Sequence, residues 1–221
     1  METRYVRTEG AVGIAILLAA LFCWDCRDNR SPSYGTIHEA AANGSLADVI
    51  KHLQRGADVN FKDANGATPL LSAAMNGRKE VAELLVAKGA DVEAKDKDGR
   101  TPLHAAVRGG QIGLVELFIA KGANVDAKDT DGRTPLHWAA QEGDTDAAEL
   151  LIAKGADVDA KETDGRTPLH WAAQEDYMGI AELLIAKGAT VNARDNERRT
   201  PLGSAFGKRI MRLLRKHGGR E

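Results

Sequence analysis

Apolar residues fall into short stripes along this chain, separated by polar stretches at a fixed interval. Between Thr101 and Gly122, Leu103, Ala106 and Val107 stand at i, i+3 and i+4, the spacing of one helix face. Thr101 can cap that helix and Pro102 suits its first position. Beyond Gly109 and Gly110, Leu114, Leu117 and Phe118 form a second stripe, with Lys121 at the negative end of the helix and Gly122 supplying a left-handed stop. The pattern predicts two short antiparallel helices. The polar run that follows, from Ala123 to Gly132, ends in Asp131-Gly132, a tight-turn signal, and predicts a projecting β-turn finger.

The pattern then repeats. Thr-Pro-Leu occurs at Thr68, Thr101, Thr134, Thr167 and Thr200, and Gly-Ala at Gly56, Gly89, Gly122, Gly155 and Gly188, both with a period of 33 residues. Units of constant length that cannot bury their apolar faces alone must stack into one continuous core. Thr101 to Ala106 reads Thr-Pro-Leu-His-Ala-Ala, the segments starting at Thr134 and Thr167 keep the His, and the one at Thr68 has Leu71 in its place. On these motifs the chain resembles the ankyrin-repeat family. The resemblance implies an all-α repeat solenoid, each unit a helix-turn-helix with a β-turn finger. About five full repeats (34–66, 67–99, 100–132, 133–165 and 166–198) are followed by a short C-terminal cap repeat (199–221).

Departures from the motif gather at the ends, where a stack needs units that tolerate water on one side. The first unit reads Gly35-Thr36-Ile37-His38. The last has Gly203 for His and is about three residues short. Asp176 and Arg198 replace glycines of the helix-helix turn and of the last finger, and local irregularity is expected at both.

The outward stripe of the first helix in the fourth and fifth units is Trp138, Gln141, Glu142 and Trp171, Gln174, Glu175; position by position the ladder runs Glu39, Ser72, Ala105, Trp138, Trp171, Ser204. The resemblance implies that a partner protein is gripped by this concave helix face together with the finger tips. Candidate contacts are therefore Trp138, Gln141, Glu142, Trp171, Gln174 and Glu175, with Met75 and Arg108 on neighbouring units and Lys97, Arg100, Arg133 and Arg166 on the fingers. Large rigid aromatics make Trp138 and Trp171 the natural anchors. The competing reading packs both tryptophans across neighbouring first helices, leaves the Gln and Glu residues as a solvated face, and gives the finger charges to solubility.

Charge adds little to this picture. Lys and Arg number 30 against 32 Asp and Glu, a net charge of -2, so nothing draws the whole chain to nucleic acid. One asymmetry stands out. Lys208, Arg209, Arg212, Arg215, Lys216 and Arg220 face Glu221 alone, which suits a polar outer cap or, more sharply, docking to an acidic partner or lipid surface.

No chemistry is nominated. His104, His137 and His170 share the motif position that the resemblance assigns to hydrogen bonds between repeats, and His38, His52 and His217 have no partners spaced as a triad or metal set. Asp129-Thr130-Asp131-Gly132 imitates the opening of a calcium loop without its closing Glu. The expectation is a monomeric, non-enzymatic protein–protein interaction module with no metal and no cofactor. The alternative is a structural spacer or membrane-tethered scaffold whose N-terminal segment or basic tail makes the main contacts.

Residues 1–30 differ from the rest. The run 11–24, from Ala11 to Trp24, is uncharged and is flanked by Arg4 and Arg7 before it and by a polar stretch after it. As a helix it would span about 21 Å against a hydrocarbon core of roughly 30 Å. That reads as a hydrophobic targeting or anchor segment, and no Ala-x-Ala-like site marks a cleavage point. An apolar helix packed on the repeats is the plainer alternative. The expected location is secreted, periplasmic or membrane-anchored, with the cytoplasm as the alternative. Cys23 and Cys26 have the spacing of a redox or metal half-site but lack a second pair and a βαβ context.

Overall fold

A computed structural model of the chain describes residues 34–221. The expected N-terminal segment, with Cys23 and Cys26, lies outside these residues. The described residues form one compact unit of helix pairs with no strand. The first helices of successive pairs are α1 (Ile37–Asn43), α3 (Pro69–Met75), α5 (Pro102–Arg108), α7 (Pro135–Glu142), α9 (Pro168–Gln174) and α11 (Pro201–Ser204). Their second helices are α2 (Leu46–Gln54), α4 (Lys79–Ala87), α6 (Ile112–Ala120), α8 (Thr145–Ala153), α10 (Met178–Ala186) and α12 (Lys208–Lys216). Each first helix packs on the first helix of the next pair, and each second helix on the next second helix, so the expected solenoid is present.

The start of each first helix is fixed locally. Proline occupies the opening turn of α3, α5, α7, α9 and α11, where its missing N–H costs nothing. Leu70, Leu103, Leu136 and Leu169 are fully buried, as are Ala73, Ala106, Ala139 and Ala172. Alanine at that position lets neighbouring helices approach closely, while each buried leucine contributes about 2 kcal/mol. Leu85, Phe118, Leu151 and Leu184 do the same for the second helices.

The motif histidines tie one repeat to the next. The backbone N–H of Thr101 donates to His104 Nδ1 at 3.2 Å, so Nδ1 must be an acceptor and the ring proton sits on Nε2. Nε2 then donates to the Arg133 carbonyl of the following repeat at 3.2 Å. His137 and His170 repeat both bonds, reaching the carbonyls of Arg166 and Arg199. This is the role the resemblance implied. Burial holds all three imidazoles below their usual pKa, His137 at about 4.

The fingers are joined rather than merely solvated. Backbone N–H groups of Lys97, Thr130, Thr163 and Asn196 donate to the carbonyls of Asn65, Asp98, Asp131 and Asp164 on the preceding finger. Below the tips runs a lysine ladder. The ammonium groups of Lys62, Lys95, Lys128 and Lys161 donate to the carbonyls of Lys95, Lys128, Lys161 and Arg194 at 2.8, 2.7, 3.0 and 2.9 Å.

The irregularity expected at Asp176 and Arg198 is absent. Both residues take the left-handed backbone of the glycines they replace, with φ of 60° and 66° against 78° at Gly143 and 77° at Gly165. The stack imposes the geometry, and the side chains carry a strain of about 1 kcal/mol each. Irregularity appears instead in the last repeat. There α11 is only four residues long, because the three missing residues remove its final turn. The chain leaves it in extended form at Ala205, with Phe206 81% exposed.

Candidate functional site

The candidate residues lie where the first helices meet the finger bases, and the structure sorts them into three groups. Tryptophan and arginine alternate along the middle of this face. The guanidinium of Arg108 lies 5.3 Å from the Trp138 ring, and Arg133 lies 5.7 Å from Trp138 and 4.5 Å from Trp171. Arg166 follows, 5.3 Å from Trp171. The order is Arg108, Trp138, Arg133, Trp171, Arg166, a chain of cation–π contacts.

Within it the two tryptophans play different parts. Trp171 is only 8% exposed and, like Trp138, sits between two arginines, with little of its ring left open. Trp138 is half-buried and its indole N–H donates to Asp129 Oδ2 at 3.1 Å, which leaves part of the ring available. Gln141 and Gln174 accept from Arg133 and Arg166 at 3.3 and 3.2 Å. Glu142 and Glu175 are exposed.

Counter-charges are distributed unevenly. Arg100 pairs with Asp96 and Asp98, and Arg199 with Asp195 and Glu197. At the fourth repeat Asp129 is occupied by Trp138, and Arg133 reaches forward to Glu162 at 2.9 Å. Burial raises the Glu162 pKa against the pull of Arg133. Arg166 is thereby left with Gln174 and the Trp171 ring; among the described residues its buried Nε has no hydrogen-bond partner. Arg108, exposed, makes no ion pair among the described residues either. The stack thus begins and ends on an arginine without a carboxylate.

Beside Arg108 the face opens into a cavity of about 240 Å³ between Met75 and Trp138. Ala105 and Gly109 line it, standing where the next repeat has Trp138 and Glu142. The hole is therefore the absence of two side chains, and this was legible in the ladder of first-helix residues had small size been read as space. Met75, at its mouth, is 53% exposed. The volume falls below the usual range of small-molecule sites and suits a single side chain. Lys97 stands on the next hollow, among Asp63, Asp96 and Asp98. Among the described residues no three His, Cys, Asp or Glu side chains gather as a metal site would require.

Comparison with known proteins agrees with this architecture. A family model for ankyrin repeats (3 copies) matches residues 37–129, 110–195 and 136–220. Acyl-CoA-binding domain-containing protein 4 of Oryza sativa subsp. japonica is 41% identical over 51 residues, which are 23% of this chain and 15% of that protein. This chain thus matches only a small part of that relative's length. With family matches running from residue 37 to residue 220 on a stack of finger-bearing helix pairs, the chain belongs to the ankyrin-repeat family.

Proposed function

We propose that the chain binds a folded protein partner through the concave face of its first helices and the rim of its fingers, and has no catalytic role. Ankyrin repeats are generally protein–protein interaction modules. The observation that carries the finer reading is the cavity between Met75 and Trp138 with the unpaired Arg108 at its edge. A large apolar side chain of the partner fills the cavity. Acidic residues next to it meet Arg108 and, further along, Arg166. Buried apolar anchors give affinity, and charges at the rim give orientation and encounter rate. The run 11–24 supports a location at or beyond a membrane.

The test fills the cavity. Ala105→Trp and Gly109→Glu each install the residue of the next repeat, and Gly109 has an ordinary negative φ, so its side chain adds no backbone strain. Tagged full-length protein and both variants are compared in affinity capture from the native host. Proteins recovered with the wild type and lost with both variants, at unchanged melting temperature, identify the partner. Recovery that neither variant alters overturns the concave-face reading.

A further inference from the structure

The constant register allows α12 to be compared with the other second helices residue by residue, once the three missing residues are allowed for. Glu83, Glu116, Glu149 and Glu182 become Arg212. Val86, Ile119, Ile152 and Ile185 become Arg215, and the alanine that ends each helix becomes Lys216. A terminal repeat must be polar to close the stack, but closing it does not require one sign of charge.

The helix dipole accounts for part of this set. Arg215 and Lys216 lie in the last turn, where cations are favoured, but Lys208 and Arg209 lie in the first, where they are not. That turn has no acidic residue and no side-chain cap. The carboxylate of Asp176 lies against Gly207, and Glu221 pairs with Arg215 at 3.1 Å. Lys208, Arg209, Arg212, Lys216 and Arg220 are all exposed and make no ion pair among the described residues.

Apolar groups are set among these cations. Met178 and Leu213 line a shallow groove of about 190 Å³ together with Arg209, Arg212 and Lys216. Phe206 projects from the turn that leads into α12. A soluble anion has no use for an exposed phenyl ring. An anionic bilayer has use for both, since it presents headgroup charge directly above acyl carbon.

We infer that the C-terminal cap is a second docking surface, built for an anionic membrane. Arg209, Arg212 and Lys216 meet lipid headgroups, and Phe206 enters the interface beside them. The side chains are long and unpaired, which suits a charged sheet more than the fixed geometry of a protein site. The apolar run 11–24 would bring the same chain to a membrane independently. The overall charge of -2 confines the attraction to this end, within a Debye length of about 8 Å at physiological salt.

The experiment is flotation of the full-length protein with vesicles of phosphatidylcholine alone and of phosphatidylcholine with 30% phosphatidylserine. Because the run 11–24 can hold the chain on either vesicle, the readout is the ratio of the two partition coefficients. Each cation near a charged surface is worth about five-fold. The triple change of Arg209, Arg212 and Lys216 to Gln should therefore lower that ratio by about 100-fold, and Arg212→Glu alone by at least five-fold. Phe206→Ser should weaken binding to serine-containing vesicles several-fold, and Arg108→Gln, at the concave face, should leave the ratio unchanged. A wild-type ratio near one, or a ratio that survives Arg212→Glu and the triple change at unaltered melting temperature, overturns the inference. So does binding of the wild type to poly-glutamate without preference for serine-containing vesicles, which would make the partner an acidic protein.

Discussion

The guanidinium of Arg133 lies 4.5 Å from the ring of Trp171, one repeat further along the stack. An arginine from one finger thus covers a tryptophan of the next unit, and the Trp171 ring becomes part of the joint between units. Trp171→Ala should cost about 3 kcal/mol or more, as loss of a large buried side chain does. Trp138→Ala, at a half-buried ring, should cost about 1 kcal/mol. Urea unfolding of the two variants measures the difference; equal costs would contradict the distinct roles given to the two rings.

Arg133 also neutralises the buried Glu162. Arg133→Ala removes that partner and uncovers Trp171 together, so its cost should exceed that of Arg100→Ala, which also strands a buried carboxylate, Asp96, but uncovers no tryptophan. In the double variant Arg133→Ala, Glu162→Gln, part of the loss should be recovered, because the uncompensated charge is gone. A double-mutant cycle in urea provides the check.

Acid should weaken the stack before most carboxylates titrate. An imidazole whose folded pKa is depressed binds its proton more readily in the unfolded chain, so stability is intact above the unfolded value and falls as pH drops towards the folded one. For His137 that window runs from 6.5 down to about 4. Between pH 7 and pH 5 this histidine alone should remove about 2 kcal/mol, and His104 and His170 act in the same direction. His137→Gln should be less stable at pH 7 yet show a shallower pH slope in urea midpoints. An unchanged slope would remove the histidine from the account.

Arg198→Gly should stabilise the protein by up to about 1 kcal/mol, since glycine adopts a φ of 66° without strain. Asp176→Gly should gain less. Aspartate tolerates the left-handed region better than arginine, and its carboxylate lies against Gly207 at the start of α12. Thermal melts of the two variants decide the order.

Most of the fold was legible because each element announces itself locally. Thr-Pro marks where a first helix begins, the glycines mark where helices and fingers turn, and the 33-residue period supplies the stacking. The candidate face was legible only as a location. Trp138 and Trp171 occupy one motif position and each lies between two arginines, yet Trp171 is buried while Trp138 is bonded to Asp129 and keeps an open side. That difference depends on which carboxylate each arginine selects across a finger, a through-space choice that spacing along the chain does not encode. Asp176 and Arg198 teach the converse: local preference argued against a left-handed backbone, and packing on both sides imposed it.

The lysine ladder implies something about how such a chain can change length. Every ammonium group reaches the carbonyl one full unit ahead, so excising residues 100–132 would bring Lys95 opposite the carbonyl of Lys161, chemically the same acceptor. Excising one residue fewer would put Lys95 out of step with Lys161 and break the ladder at that joint. The bonding scheme is preserved under addition or loss of whole units, so a gene encoding it can grow or shrink by duplication and deletion with the ladder intact.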